Sequence, residues 1–101
     1  LGNTAEYHPM SRGFDEYLGF LGGAYTYFPQ NPGARTDQVL RGREPAGEKE
    51  YLTDAFAREA TAFIGRHEKE PFFLYLTFNA VHSPMEATEK YLARFPNVAD
   101  Q

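Results

Sequence analysis

Hydrophobic residues recur with a helical period between residues 52 and 68 of this chain. The apolar positions there are spaced as one face of an α-helix, at Phe56, Ala60, Phe63 and Ile64. Thr53 is the predicted N-cap, and Asp54 and Arg58 are spaced to pair on the exposed side. Pro71 stands beyond the stretch and prevents the helix from continuing. An amphipathic helix is therefore predicted over residues 52–68.

The apolar run PFFLYLTF, residues 71–78, shows no alternation between polar and apolar positions. A continuous run of this length, rich in aromatic residues, is typical of a strand buried on both faces, as in a parallel sheet. A short helix is predicted over residues 88–95, with Leu92 and Phe95 on its apolar side. Helix, turn and buried strand make half of a βαβ unit, so the predicted fold class is α/β.

The first half of the chain, residues 1–50, is rich in glycine, proline and polar residues. Its apolar residues concentrate in the stretch RGFDEYLGFLGGAYTYFP, where several glycines interrupt any helical pattern. Short strand-like pieces are predicted around Tyr17–Phe20 and Tyr25–Phe28. Residues 30–50 are predicted to form an exposed loop with a turn at Pro32–Gly33.

Composition and charge exclude several classes of function. The net charge is −4 and no stripe of basic residues is present, so a nucleic-acid partner is not expected. No apolar run approaches the ~20 residues of a membrane-spanning helix, and no membrane association is expected. The chain has no cysteine, which excludes disulfides, thiolate catalysis and cysteine metal sites. No signal peptide is recognisable at the start of the chain, and the compartment stays open.

His82 is the strongest candidate for chemistry, within the stretch FNAVHSP. It follows the predicted strand, and ligands of open α/β sheets bind beyond the carboxyl ends of strands. An imidazole at that edge can donate a hydrogen bond to an anion or exchange a proton with a leaving group. Asn79 is suited to cap or cross-link the loop. The alternative is that His82 only satisfies a carbonyl of the turn.

Other polar residues are weaker candidates. His8 is expected to pack or to be solvated, and His67 is explained by the negative end of the predicted helix dipole. Asp15 and Glu16 are neighbours in an extended segment and point opposite ways, so they do not form an acid–base pair. No grouping of histidines and acids has the spacing of a metal site. The aromatic cluster at residues 25–28 either lines a sugar-binding surface or packs in the core.

Three blocks of the sequence carry a resemblance to a known family: RGFDEYLGFLGGAYTYF, YLTDAFAREATAFI and PFFLYLTFNAVHSPMEATEKYLARFP. Together they resemble the type I sulfatases of the alkaline-phosphatase-like superfamily, in the branch of arylsulfatases and N-acetylgalactosamine-6-sulfatase-like enzymes. The resemblance implies a partial alkaline-phosphatase-like fold and hydrolysis of sulfate esters. The implied substrate is a sulfated small molecule or carbohydrate.

The resemblance also implies a role for His82 as the catalytic residue of this segment. It corresponds to the family histidine that contacts the substrate sulfate and helps the leaving oxygen depart. Three positions differ from this branch: Val81 stands where proline is common, Ser83 where threonine is common, and Tyr25 where histidine is common. None of these differences alters the imidazole of His82, but a substrate contact at position 25 is not carried over.

Two groups that the resemblance implies have no counterpart in this sequence. Sulfatases use a formylglycine made from the first residue of a C/S-x-P-x-R motif, and they hold calcium with acidic residues near both ends of the catalytic domain. Neither the motif nor those acids are recognised here, so no cofactor is expected within this segment. Calcium and formylglycine are expected in the full-length family. A periplasmic or secreted location is compatible with that family.

The chain is therefore interpreted as an internal segment of a sulfatase catalytic domain, residues 1–101, loop-rich over 1–50 and helix–strand–helix over 51–101. Leu1–Gly2 resembles the end of the family segment GKWHLG, which places the start of the chain just after that pair of site residues. The isolated chain is expected to be inactive. The alternative is a stand-alone folding unit that self-associates as a homo-oligomer, with Phe72, Leu74, Leu76 and Phe56 near the buried surface.

Overall fold

The structure is a computed structural model that describes residues 3–30 and 38–98. Leu1–Gly2 and the turn predicted at Pro32–Gly33 lie outside the described residues. Within them, the strands are β1 (Leu18–Gly19), β2 (Leu40–Arg41) and β3 (Glu44–Pro45), and the helices are α1 (Leu52–Arg66), α2 (Glu89–Leu92) and two 3-10 helices, Ala5–Tyr7 and Pro9–Arg12. The predicted α/β class is confirmed in this coarse form.

The three strands form a small antiparallel sheet in the order β1–β2–β3. Leu18 lies opposite Arg41 across β1 and β2. Gly42 turns the chain between β2 and β3 with φ at +62°, a left-handed conformation that glycine adopts without a steric cost. The expectation of a loop over residues 30–50 is therefore wrong for β2 and β3. Strands of two residues are too short to show the alternation by which a sequence reveals a strand.

Helix α1 confirms the predicted amphipathic helix and shifts its buried face toward the N-terminus. The buried residues are Leu52, Ala55, Phe56 and Ala60, whereas Ile64 is 46% exposed. The N-cap is Tyr51, and Thr53 lies inside the first turn with its hydroxyl buried and unpaired among the described residues. Thr53 was therefore the wrong N-cap. The helix begins where its first turn packs into the core.

The hydrophobic core lies between the sheet and the first half of α1. Its buried cluster consists of Val39, Leu52, Ala55 and Phe56, and partly buried residues from the sheet region pack against it, at Leu18, Phe20, Tyr25 and Ala46. Leu52 is completely buried. The core thus joins segments that are distant in sequence.

Ion pairs reinforce the contact between α1 and the segment before it. Glu59 of α1 accepts hydrogen bonds from Arg41 of β2 at 2.5 and 2.9 Å. The pair with Arg41, assisted by Arg58, lowers the pKa of Glu59 to about 2. Arg58 also pairs with Glu48 and Glu50, not with Asp54 as the helical spacing predicted. Glu48 and Glu50 lie within ion-pair distance of the Arg58 guanidinium, which therefore binds them instead of Asp54.

Residues 71–78 do not form the predicted buried strand. They carry no strand pairing, and Phe72, Phe73, Tyr75, Leu76 and Phe78 are between 41% and 74% exposed. A strand exists only as part of a hydrogen-bonded ladder, and no neighbouring strand lies beside this segment among the described residues. The predicted burial on both faces is therefore also wrong for the described residues, in which this apolar segment stays largely exposed.

Helix α2 is one turn long and shorter than the predicted stretch 88–95. Its main link to α1 is Asp54, which accepts hydrogen bonds from the hydroxyl of Tyr91 and from Nζ of Lys90. Leu92 and Phe95 are 52% and 66% exposed, so the predicted apolar side of this helix is not buried. No helix among the described residues is both long enough and apolar enough to cross a membrane.

His67 connects the end of α1 to the segment before β1. Its Nε2 lies 2.7 Å from Glu16 and its Nδ1 lies 2.6 Å from Glu70, while Arg66 pairs with Glu16 at 2.5 Å. The hydrogen bonds to Glu70 and Glu16 raise the pKa of His67 above its ordinary 6.5. The bond to His67 is also the largest cause of the lowered pKa of Glu16. A specific ion-pair contact, rather than the helix dipole alone, therefore explains His67.

The chain is expected to lose stability on the alkaline side of pH 6.5 through His67. A raised pKa in the folded state means that the protonated imidazole stabilises the fold fully below 6.5, and that this contribution is lost as pH rises through the raised value. In His67→Gln, the urea midpoint is expected to change less between pH 6.5 and 8.5 than in the wild type. Glu70→Gln, which keeps the contact to Glu16, serves as the intermediate case. An identical pH profile for wild type and His67→Gln would contradict this role.

Candidate functional site

The loop after the apolar run places His82 on the wall of an open cleft. The cleft has a volume of about 320 Å³ and lies between the segment around β1, residues 17–25, and residues 77–82. That volume is within the range of small-molecule sites. His82 is exposed to this space. The peptide bonds Ala80–Val81 and Ser83–Pro84, on either side of His82, are both cis.

The ring of His82 has one engaged nitrogen and one open nitrogen. Nδ1 lies 2.7 Å from the carbonyl oxygen of Ser83. Because a carbonyl only accepts, Nδ1 carries the hydrogen and donates it. Nε2 has no hydrogen-bond partner within residues 3–30 and 38–98. The neutral ring therefore offers Nε2 as an acceptor to the cleft, and the protonated ring offers it as a donor.

The other two histidines of the chain are engaged through both ring nitrogens. His8 is 2% exposed; its Nε2 lies 2.8 Å from the carbonyl of Gly42, and its Nδ1 accepts from the amide of Met10 at 3.0 Å. The predicted packing role of His8 is thus confirmed, with its ring set edge-on to Tyr17. Both nitrogens of His67 bind carboxylates. His82 alone of the three histidines retains a ring nitrogen for a ligand within the part of the chain that the structure describes.

The backbone of the His82 loop is held by the segment 25–27. The hydroxyl of Tyr27 donates to the carbonyl of His82 at 2.5 Å. The side-chain amide of Asn79 lies 3.4 Å from the carbonyls of both Tyr25 and Thr26, which confirms its predicted cross-linking role. The sequence did not single out Tyr27, because an aromatic residue in an apolar stretch is expected to pack in the core. The partner of its hydroxyl, the carbonyl of His82, lies 55 residues away in the sequence.

An aromatic pair forms the opposite side of the cleft. Phe20 and Tyr25 are stacked with their ring centroids 5.2 Å apart. Both rings line the cleft and also pack against the core cluster around Leu52. Tyr25 therefore packs against the core, as one of the two interpretations expected, and its ring also lines the cleft.

The described residues do not fit the calcium site that the family resemblance implies. No group of three or more histidines, cysteines or acids that could hold a metal ion occurs among residues 3–30 and 38–98. Glu16, one of the acids considered from the sequence, is engaged by Arg66 and His67. The cleft is lined by the imidazole of His82, by aromatic rings and by the polar side chains of Tyr17, Thr77 and Asn79.

Comparison with known proteins extends over the entire chain. The sequence model of a family described as Sulfatase matches residues 1–101. The N-acetylgalactosamine-6-sulfatase of Canis lupus familiaris is 32% identical over 107 residues, covering 91% of this chain and 20% of that protein. The arylsulfatase of Klebsiella aerogenes is 28% identical over 101 residues, covering 92% of this chain and 22% of that protein. The uncharacterized sulfatase YdeN of Escherichia coli (strain K12) is 31% identical over 97 residues, covering 92% of this chain and 16% of that protein.

A solved structure shows the same correspondence in the backbone. The crystal structure of Ps i-CgsB superposes with a TM-score of 0.86 and 37% sequence identity, over 100% of this chain and 26% of that chain. Among the curated relatives named above, the chain spans between 16% and 22% of their length. The likeness therefore covers all of this chain and a limited part of each relative.

Proposed function

The chain belongs to the sulfatase family, and from this membership we propose that it contributes one wall of a site that cleaves sulfate esters, with His82 as the catalytic residue. The observation that carries the proposal is the open Nε2 of His82 on the cleft, since both other histidines are engaged through both nitrogens. The expected ligand is a sulfated small molecule or carbohydrate. The relatives named for arylsulfate and N-acetylgalactosamine-6-sulfate chemistry support that class.

The chemistry expected of His82 follows from its two ring nitrogens. The bond from Nδ1 to Ser83 orients the ring and leaves Nε2 available to a ligand in the cleft that His82 lines. In the protonated ring, Nε2–H donates a charge-assisted hydrogen bond to a sulfate oxygen. When the S–O bond of an ester breaks, its electron pair stays on the leaving oxygen, and Nε2–H is placed to supply the proton which that oxygen needs.

The remaining catalytic groups are expected outside these residues. Calcium and formylglycine, as the family resemblance implies for full-length members, supply charge neutralisation and the nucleophile. The described residues of this chain do not fit a calcium site, and the sequence contains no C/S-x-P-x-R motif. We therefore expect this 101-residue chain to bind a sulfate ester without hydrolysing it.

The same proposal includes a role for residues 71–78 in an alkaline-phosphatase-like fold. In a whole sulfatase domain of the alkaline-phosphatase-like type, residues 71–78 form a strand of the central sheet. The support is an apolar run that is exposed along most of its length and unpaired among the described residues. The backbone likeness to a longer sulfatase-like chain, with a TM-score of 0.86, is consistent with this assignment.

Nuclear magnetic resonance of the imidazole nitrogens tests the proposal directly. On titration with 4-nitrophenyl sulfate, the Nε2 signal of His82 is expected to move in a saturable way, while the signals of His8 and His67 stay in place. His82→Ala is expected to weaken binding by about tenfold or more, because a hydrogen bond to a charged group contributes ~1.5–3 kcal/mol. Release of 4-nitrophenolate by the chain is expected to be absent.

Two controls separate specific binding from an ionic-strength effect. 4-Nitrophenol, which lacks the sulfate, and sodium chloride at matched ionic strength are expected to leave the His82 signal unchanged. Equal movement of all three histidines, or unchanged affinity in His82→Ala, would overturn the assignment. Hydrolysis by the wild-type chain that disappears in His82→Ala would contradict the expected lack of activity.

Self-association is a second candidate function, favoured by the exposed apolar surface of residues 71–78. We propose that a second copy of the chain covers this surface, because single large apolar patches on monomers are uncommon. Phe72 and Leu76 are 45% and 41% exposed and suit this role. Phe56, expected from the sequence to take part, is instead buried in the core of its own chain at 6% exposure.

A further inference from the structure

Tyr27 makes a long-range hydrogen bond to the backbone of His82. Its side chain is 4% exposed, and its hydroxyl lies 2.5 Å from the carbonyl oxygen of His82. The same hydroxyl is 3.5 Å from the carbonyl of Asn79. A hydroxyl has one hydrogen to donate, and the shorter contact assigns it to His82. The bond links two segments that are 55 residues apart.

This bond acts on the peptide unit that precedes the one whose carbonyl binds the imidazole. The carbonyl of His82 belongs to the peptide plane between His82 and Ser83. The carbonyl of Ser83, one peptide further on, accepts the hydrogen of Nδ1. A rotation of the first plane displaces the second carbonyl, and the ring must follow it or lose its bond. The position of Nε2 in the cleft therefore depends on the hydroxyl of Tyr27.

We propose that Tyr27 is a positioning residue for His82: its hydroxyl holds the His82–Ser83 peptide and, through it, the Ser83 carbonyl that fixes the tautomer and direction of the imidazole. The inference rests on the proposed function for its consequence in sulfate binding, but the tautomer effect is independent of any ligand. Asn79 supports the same turn from its other end, since its side-chain amide lies 3.4 Å from the carbonyls of Tyr25 and Thr26. The turn is thus held at both ends against the segment 25–27.

Tyr51 provides a matched comparison within the same chain. It is 9% exposed, and its hydroxyl donates to the carbonyl of Glu86 at 2.7 Å. Tyr27 and Tyr51 are neighbours, with ring centroids 6.0 Å apart. Each tyrosine therefore anchors the same loop by the same kind of bond. They differ in that Tyr27 holds the histidine itself, whereas Tyr51 holds a residue four positions beyond it.

The test compares Tyr27→Phe with Tyr51→Phe by three measurements: the urea midpoint, the ring-nitrogen spectrum of His82 and the affinity for 4-nitrophenyl sulfate. Both variants are expected to lose similar stability. Only Tyr27→Phe is expected to shift the neutral His82 ring from the Nδ1–H tautomer to a mixture and to weaken binding about fivefold, the effect of one hydrogen bond. Tyr51→Phe is expected to keep the wild-type tautomer and affinity.

The outcomes separate this inference from the function on which it rests. An unchanged His82 tautomer in Tyr27→Phe, or an equal change in both variants, overturns the positioning role even if His82→Ala weakens sulfate binding. If the tautomer shifts in Tyr27→Phe but His82→Ala leaves ligand binding unchanged, the positioning role is supported and the proposed function is overturned. If Tyr27→Phe does not fold, the wild type decides: a Tyr27 hydroxyl proton that exchanges slowly with water is expected, and its absence overturns the inference.

Discussion

Replacing Leu52 with alanine is expected to lower the free energy of unfolding by about 3 kcal/mol, within the ~2–5 kcal/mol typical of buried Leu→Ala changes. Leu52 is completely buried and packs with Val39, Ala55 and Phe56. It joins α1 to the residues around β2, so the cavity left by alanine lies at the junction of the core. Urea denaturation followed by circular dichroism measures the loss.

A matched control for Leu52→Ala is Leu92→Ala in the second helix. Leu92 is 52% exposed, and its replacement is expected to change stability by about 0.5 kcal/mol or less. Equal effects of the two substitutions would mean that the core around Leu52 does not form as described. Because Phe20 and Tyr25 pack on this cluster and line the cleft, Leu52→Ala is also expected to loosen that side of the site.

Aspartate at both Phe73 and Tyr75 is expected to abolish the self-association proposed for the surface of residues 71–78. The two side chains are 74% and 71% exposed, and each is worth ~1.5–3 kcal/mol when a partner buries it. The association constant should therefore fall by about 100-fold or more, since ~1.4 kcal/mol corresponds to a factor of ten. Sedimentation equilibrium over a wide concentration range measures the change.

Met85 offers a control of equal exposure outside the apolar segment. It is 73% exposed, and Met85→Asp is expected to leave the association constant near the wild-type value. A wild-type chain that stays monomeric at high concentration would refute self-association. The proposal that strands of a larger sulfatase domain cover the surface of residues 71–78 would then be favoured. This chain spans about a fifth of the length of two sulfatase relatives.

Local pattern was sufficient to predict helix α1, because the spacing of Phe56 and Ala60 identified its buried face. His82 was selected for its position after a predicted strand, and that strand does not form among the described residues. The predictions failed where the pattern was short. Strands β2 and β3 have two residues each and were expected to be loop. Thr53 was expected to be the N-cap, although helix α1 begins one residue earlier, at Leu52. A cap preference of ~1 kcal/mol yields to the burial of a residue such as Leu52.

The sequence by itself determined the family, helix α1, the apolar character of residues 71–78 and the candidacy of His82. Each of these depends on residue types and spacings along neighbouring positions. Only the tertiary structure decided which groups meet across the chain: Tyr27 with His82, Glu16 with His67, and Phe20 with Tyr25 at the cleft. It also left residues 71–78 without strand pairing, because a strand needs hydrogen bonds from a neighbour and no pattern within one segment can supply them.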